Sequence, residues 1–249
     1  MRKLVIILNI LTFLGNAAAQ NDVEEIVEAW YKDNILVKDL DGDGIMDTVR
    51  LEYFIHPSQI NEYWAIYDNY HICDTVSESH ICLVCLLSSQ QFEKMYSQIL
   101  DFGFETLSLT ARDYKVTATR NGFEYAFGQA YMGYHVQSAQ FRYDNRVGKM
   151  QLIGMSHEST GNAEKDGRGK SSVNLLTGDH IGDWLMYEYN LDRLVKMPTI
   201  RTKMDFGKIY LEDFCGSTLA DFYRQTDKLR YEQSRNIIET NLEKETRNE

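Results

Sequence analysis

The chain has 249 residues, with 37 acidic and 26 basic side chains and a formal net charge of −11 at pH 7. This balance argues against a nucleic-acid-binding protein, because affinity for nucleic acid depends on phosphate neutralisation by lysine and arginine. An acidic surface instead suits a bound cation or a basic protein partner. The many aromatic residues, 16 tyrosines and 11 phenylalanines, favour β-strands.

The N-terminus has the three parts of a cleavable secretory signal peptide. Arg2 and Lys3 form a basic region, residues 5–15 form an apolar core, and residues 17–19 are alanines that suit a signal peptidase. The apolar core is too short to cross a bilayer as a helix, which takes about 20 residues. We therefore predict that residues 1–19 are removed during export, that the mature protein is secreted or periplasmic, and that it has no transmembrane segment.

Two segments have apolar side chains at helical spacing. In residues 22–33, Ile26 and Trp30 share one helical face, which predicts a short N-terminal helix. Residues 89–100 show the same period and are followed by Gly103, a residue that commonly terminates helices. We therefore predict one central helix there.

Alternating apolar and polar side chains predict strands along much of the chain. Residues 48–55 alternate in this way. An antiparallel meander is predicted over residues 105–157, with hairpin turns at residues 121–122 and 144–145. Residues 158–172 are polar and are predicted to form an exposed loop. Further strands are predicted at residues 63–73, 80–87, 172–176 and 184–189.

The C-terminal residues 218–249 carry many charges and helix-forming side chains. They predict a helical extension that either packs on the preceding domain or binds a partner. The predicted organisation is a signal peptide at 1–19, a calcium-binding mainly-β domain at 20–217, and this helical extension. The fold class predicted is α+β: mainly antiparallel β-sheet with an N-terminal helix, one central helix and the C-terminal helical extension.

Residues 39–47 contain four aspartates and two glycines and carry the most specific motif in the chain. Carboxylates at relative positions 1, 3, 5 and 9, with glycine at position 6, suit a tight loop that turns alternate side chains inward. Hard oxygen ligands favour Ca²⁺ over Zn²⁺, and a bound ion would relieve the repulsion among the carboxylates. The candidate calcium ligands are the side chains of Asp39, Asp41, Asp43 and Asp47 and the backbone carbonyl oxygen of Ile45.

This loop resembles the calcium loops of dockerins, thrombospondin-type repeats and FG-GAP repeats, which share the Asp-x-Asp-x-Asp-Gly-x-x-Asp spacing. It differs from an EF-hand, because Arg50 occupies position 12, where an EF-hand has glutamate, and because a predicted strand follows. FG-GAP repeats likewise have a strand directly after the loop. Several such repeats build a propeller, but this chain has one copy, so we expect a structural calcium ion in a domain that is not a propeller.

A longer resemblance covers about residues 36–180. Together with the signal peptide and the calcium loop, segments 141–143, 152–154 and 172–178 resemble bacterial secreted proteins with a single FG-GAP-like calcium loop. Some relatives of that group are periplasmic calcium-binding inhibitors of lysozyme-like peptidoglycan hydrolases. The resemblance implies a secreted, non-catalytic, calcium-binding module that inhibits a lysozyme-like hydrolase, which would be a basic partner for this acidic chain. It assigns no inhibitory loop to particular residues.

The alternative prediction is a secreted glycan or peptide hydrolase with a structural calcium ion. No familiar triad, phosphate-loop or dinucleotide motif occurs in the sequence, so the non-catalytic module is preferred and no catalytic residue is assigned. A pocket with paired carboxylates or a histidine–carboxylate pair would support the hydrolase. The polar residues that would supply such a site are His157, Glu158, Ser159, Asp179, His180, Asp183 and Glu188.

The four cysteines leave several states open. In an oxidising compartment they would form one or two disulfides, and four cysteines allow three connectivities. The thiols would otherwise lie free in the core or, with nearby histidines, bind zinc. The residues concerned are Cys73, Cys82, Cys85 and Cys215, with His71 and His80 as further zinc candidates.

Overall fold

The computed structural model describes residues 25–26, 35–56, 78–98, 100, 112–130, 133–189 and 192–247. These residues form two antiparallel β-sheets and a long C-terminal helix. The predicted signal peptide at residues 1–19 and the predicted strand at residues 63–73 lie outside them. No helix in this part of the chain has the length and apolar character needed to cross a membrane.

The smaller sheet has five strands and carries the aspartate-rich loop. The strands are β1 (Glu25–Ile26), β2 (Leu36–Lys38), β3 (Asp47–His56), β4 (Glu78–Leu86) and β5 (Lys94–Tyr96). β3 is central, because it pairs with β4 on one side and with both β1 and β2 on the other. β5 extends the sheet beyond β4. The predicted strand at residues 48–55 is therefore confirmed as β3.

The larger sheet is a meander of eight strands. They are β6 (Arg112–Thr119), β7 (Gly122–Ala130), β8 (Tyr134–Asp144), β9 (Lys149–Ser159), β10 (Gly169–Asn174), β11 (Asp179–Glu188), β12 (Arg193–Lys196) and β13 (Ile200–Lys203). From β6 to β11 each strand pairs with its neighbour in the chain, and β12 and β13 both pair with β11. The predicted meander is confirmed, although β10 begins at Gly169, inside the segment predicted to be a loop.

The hairpin between β6 and β7 turns one residue earlier than predicted. Arg120 and Asn121 form the turn, and Gly122 already pairs with both neighbouring strands. A Cβ atom on Gly122 would clash with the carbonyl oxygen of Phe141 on β8. This glycine therefore permits the close approach of β7 and β8 rather than the turn itself.

One hydrophobic cluster joins both sheets to the helix α1 (Gly216–Arg247). Phe222 of α1 is fully buried in it. The ring of Phe141 stacks on Phe123 with centroids 5.0 Å apart and meets Phe214 edge to face at 5.1 Å. The predicted C-terminal helix is thus confirmed, and its first turns pack into the core of the sheets.

The predicted N-terminal helix over residues 22–33 is wrong where the structure describes it. Glu25 and Ile26 form β1 and pair with Ile55 and Phe54 of β3. Sheet hydrogen bonds therefore take the place of helical ones at these two residues. The rest of this segment lies outside the described residues.

The predicted central helix over residues 89–100 is also wrong. Ser88–Gln90 form only a short 3₁₀ turn, and it is followed by Gln91 and Phe92, whose φ angles of +57° and +59° are left-handed. The chain then continues as β5, and two backbone N–H groups beyond it donate to carbonyl oxygens of β4. The backbone of this segment therefore hydrogen-bonds to the open edge of β4 and forms no helix, although its apolar side chains have helical spacing. Within the described residues the fold is antiparallel β-sheet with one C-terminal helix.

Candidate calcium loop

The aspartate-rich loop connects β2 to β3 and closes their hairpin, since Lys38 pairs with Asp47. Gly42 and Gly44 have φ angles of +84° and +85°. This left-handed backbone favours glycine, and the space around both glycines is open. The two glycines therefore suit the bent backbone of residues 41–45.

Three of the predicted ligands converge in this loop. Carboxylate oxygens of Asp39, Asp41 and Asp43 all lie within 4.8 Å of one another. Backbone amides of the loop hold all three side chains: Gly42 N donates to Asp39 Oδ1 at 2.7 Å, Asp43 N to Asp41 Oδ1 at 3.2 Å, and Ile45 N to Asp43 Oδ1 at 2.7 Å. The group has only oxygen donors, which is the ligand chemistry that Ca²⁺ requires. The residues present therefore fit a calcium ion.

Asp47, the fourth predicted carboxylate, lies outside the group of three. It is fully buried, and its two oxygens accept hydrogen bonds from Leu40 N at 2.7 Å and Ser88 N at 2.8 Å. Each of these bonds to a charged acceptor stabilises the fold by roughly 1.5–3 kcal/mol. In this arrangement Asp47 joins the beginning of the loop to the connection between β4 and β5.

The fifth predicted ligand, Ile45, is in the same loop. Its side chain is 54% exposed, and its backbone N–H is used by Asp43. Because this large apolar side chain is exposed to solvent, its packing does not determine the conformation of the loop at Ile45; the backbone hydrogen bond does.

Two serines from a distant part of the chain complete the loop. Ser88 Oγ donates to Asp43 Oδ2 at 2.7 Å, and Ser89 N donates to Asp41 Oδ2 at 3.3 Å. The sequence does not indicate either partner, because the two serines are 45 and 48 positions away from Asp43 and Asp41.

The loop is also attached to the larger sheet. Lys38 Nζ donates to the carbonyl oxygens of Thr119 and Arg120, at the end of β6. Beside this contact lies an open cleft of about 780 Å³, lined in part by Asp39, Asp41 and Arg120. The candidate metal group thus borders a surface that both sheets build.

The histidines considered for a hydrolase are covered by α1. His157 and His180 are 3% and 1% exposed, and no ring nitrogen of either has a hydrogen-bond partner. Their rings lie 4.8 Å from Tyr223 and 6.2 Å from Phe222 between centroids. Burial, with a smaller effect of nearby His135, lowers the pKa of His157 to about 4. Burial also lowers the pKa of His180, so both imidazoles are neutral at pH 7.

The carboxylates considered with these histidines are occupied elsewhere or lie apart from the cleft. Asp179 binds Lys203 Nζ at 2.7 Å, and Asp183 accepts a hydrogen bond from Thr199 at 2.6 Å. Glu188 is buried, Glu158 is exposed, and none of the hydrolase candidates lines the cleft. The described residues therefore contain no histidine–carboxylate pair formed by this set.

The described structure shows the state of two of the four cysteines, which are thiols. Cys85 is a buried free thiol whose pKa is raised by burial, and Cys215 is a free thiol just before α1. Cys82 is buried in β4. Cys73, His71 and the side chain of His80 lie outside the described residues, so the disulfide and zinc predictions involving them stay predictions.

Comparisons of the chain with models of protein families, with curated proteins and with solved structures found no match.

Proposed function

We propose that this protein is an exported calcium-binding module without catalytic activity, in which the ion stabilises the fold. One observation carries the proposal: carboxylate oxygens of Asp39, Asp41 and Asp43 lie within 4.8 Å of one another. Ionised carboxylates at this separation repel, and a divalent cation among them would replace repulsion by attraction. The aspartate spacing and the left-handed glycines support Ca²⁺ as that ion.

Calcium would act where two segments of the smaller sheet meet. Asp41 and Asp43 already accept hydrogen bonds from Ser89 and Ser88, at the beginning of the connection between β4 and β5. An ion held by these aspartates would therefore fasten the β2–β3 hairpin to that connection. Its role would be structural, because no buried base or nucleophile among the described residues hydrogen-bonds to the group.

The biological role proposed for this module is to bind a basic protein, a lysozyme-like hydrolase being the candidate that the family resemblance suggests. The net charge of −11 supports a partner of opposite sign, because complementary charge accelerates association and makes it sensitive to salt. The alternative hydrolase activity is not favoured by a specific observation, since His157 and His180 are both covered by α1.

Thermal unfolding in EDTA and in millimolar calcium tests the metal site. Calcium is expected to raise the free energy of unfolding by RT ln(1 + [L]/Kd), which is about 2.7 kcal/mol at a hundredfold excess over Kd. The variant D41N/D43N keeps the size of both side chains but removes their charge, so its melting temperature should not respond to calcium.

The matched control is D205N. Asp205 also accepts a hydrogen bond from a nearby glycine, Gly207 N at 2.8 Å, in an exposed turn, but it is not in the group of three. Its calcium response should equal that of the unsubstituted protein. A melting temperature that calcium leaves unchanged in the unsubstituted protein would contradict the calcium site.

Binding to a basic lysozyme, measured by calorimetry in calcium at low and high salt, tests the partner. Binding that weakens with added salt and reduces lysis of peptidoglycan would support an inhibitor. Absence of binding at low salt, in protein shown to hold calcium, would reject this class of partner while leaving the metal site standing.

A further inference from the structure

The open cleft beside the loop has the size of a small-molecule site. Its volume of about 780 Å³ lies within the range of roughly 300–1,000 Å³ that ligand pockets occupy. Five separate parts of the chain form its walls: residues 39–42, the β6–β7 turn, the end of β8 with the turn that follows, Gln151 of β9, and Lys208. Both sheets therefore contribute to it.

Two arginines in this cleft have no carboxylate partner. Among the residues that the structure describes, neither Arg120 nor Arg142 makes an ion pair. Arg120 is exposed in the β6–β7 turn, and Arg142 is half-buried on β8. A planar guanidinium group offers paired N–H donors that match the oxygens of a carboxylate or phosphate. Arg146 and Lys208 also line the cleft, beside the carboxylates of Asp39, Asp41 and Asp144. The cleft therefore has a small excess of positive charge on an acidic chain.

Asp144, a carboxylate that also lines the cleft, is already paired with a lysine. Lys208 Nζ binds Asp144 Oδ2 at 2.7 Å, and this hydrogen bond, with one from Arg146 N, lowers the pKa of Asp144. Asp144 is therefore ionised and paired with lysine rather than with either arginine. The guanidinium groups of Arg120 and Arg142 stay available to a ligand.

We propose that this cleft binds a small molecule bearing an oxyanion, a carboxylate or a phosphate group, through Arg120 and Arg142. Asp39 and Asp41 also line the cleft and would repel such a ligand while they carry no cation. A calcium ion there would add two positive charges beside the arginines. Calcium and the oxyanion therefore bind cooperatively, and this coupling, unlike the arginine contacts, rests on the proposed calcium loop.

Calorimetric titration of the full chain in EDTA, with inorganic phosphate and with succinate as separate probes, tests the arginine contacts. The variant R120Q/R142Q should weaken saturable binding about tenfold or more, because two charge-assisted contacts are lost. The tighter of the two probes identifies the oxyanion. The matched control R193Q/R201Q removes two exposed arginines from β12 and β13, outside the cleft, and should leave binding unchanged.

Equal weakening in the two double variants, or saturable binding by neither probe, would overturn the proposal. Amide chemical shifts of the unsubstituted protein provide a second measurement that does not depend on folding of a variant. The probe should shift the amides of Gly42, Asn121 and Asn145, which line the cleft. Shifts confined to other parts of the molecule would also overturn it.

Repeating the succinate titration in calcium separates this proposal from the calcium loop. Tighter binding in calcium, absent in D41N/D43N, supports the coupling. If calcium does not stabilise the protein but succinate binds through the arginines, the calcium site is rejected and the oxyanion site is supported. If calcium stabilises the protein but neither probe binds, the oxyanion site fails alone.

Discussion

Polar side chains have opposite environments in two regions of the molecule. These are the calcium loop and the interface between α1 and the larger sheet. In the loop, three neighbouring aspartates, two of them half-buried and one exposed, are held by backbone amides and serines. Under α1, His157 and His180 are buried without hydrogen-bond partners. Charge of one sign is therefore concentrated in the loop, and the helix interface instead holds uncharged imidazoles beside the ion pair of Asp227 and Arg230. A cation should stabilise the first region, whereas a proton should destabilise the second.

The largest effect is expected from F222A, which tests whether α1 belongs to the core or is only appended to it. Phe222 is fully buried, so the substitution should lower the free energy of unfolding by about 3–5 kcal/mol. Urea denaturation measures the loss. Tyr231 on the same helix is 65% exposed, and Y231A should change stability by about 0.5 kcal/mol or less. Equal effects of the two substitutions would contradict a helix packed into the core.

The next largest effect is a loss of folding stability in acid. Because folding lowers the pKa of His157 from 6.5 to about 4, the unfolded chain binds a proton at a higher pH than the folded one. The contribution of His157 to stability is therefore complete above pH 6.5 and is lost as the pH falls towards 4. The loss is about 3 kcal/mol at most. Urea denaturation across this pH range should show it.

The variant H157F isolates this contribution, because phenylalanine fills the site and does not titrate. The groups facing the His157 ring are His135 on β8, Trp184 on β11, and Tyr223, Asp227 and Arg230 on α1. They are unchanged in the variant. Its stability should fall less steeply between pH 6.5 and 4 than that of the unsubstituted protein. Identical slopes would show that His157 does not take up the proton.

A smaller effect, about 2 kcal/mol, is expected from D47N in EDTA. An asparagine has one acceptor oxygen, so it cannot accept from both Leu40 N and Ser88 N as Asp47 does. Since Asp47 lies outside the group of three carboxylates, calcium should still raise the melting temperature of D47N. Loss of that response would instead make Asp47 a ligand, as its position in the sequence motif predicts. D205N again serves as the exposed control.

The sequence predicts structure that depends on contacts between nearby residues. It does not predict structure that depends on contacts between distant residues. The convergence of Asp39, Asp41 and Asp43 follows from local spacing and the glycines between them. Ser88 and Ser89 could not be predicted as their partners, because only the pairing of β3 with β4 brings them together. A different pairing, that of β4 with β5, explains the failed central helix. The apolar period of this segment was real, but no local pattern indicates that β4 has an open edge.

The order of strands in the larger sheet also bears on how the chain folds. From β6 to β11 every strand pairs with the one made just before it, so each pairing closes a short loop at small entropic cost. The helix comes last in the chain, and until it docks, the faces of His157 and His180 that it covers are open to water. We expect these imidazoles to keep an ordinary affinity for protons up to that moment. We therefore expect acid to slow the docking of α1.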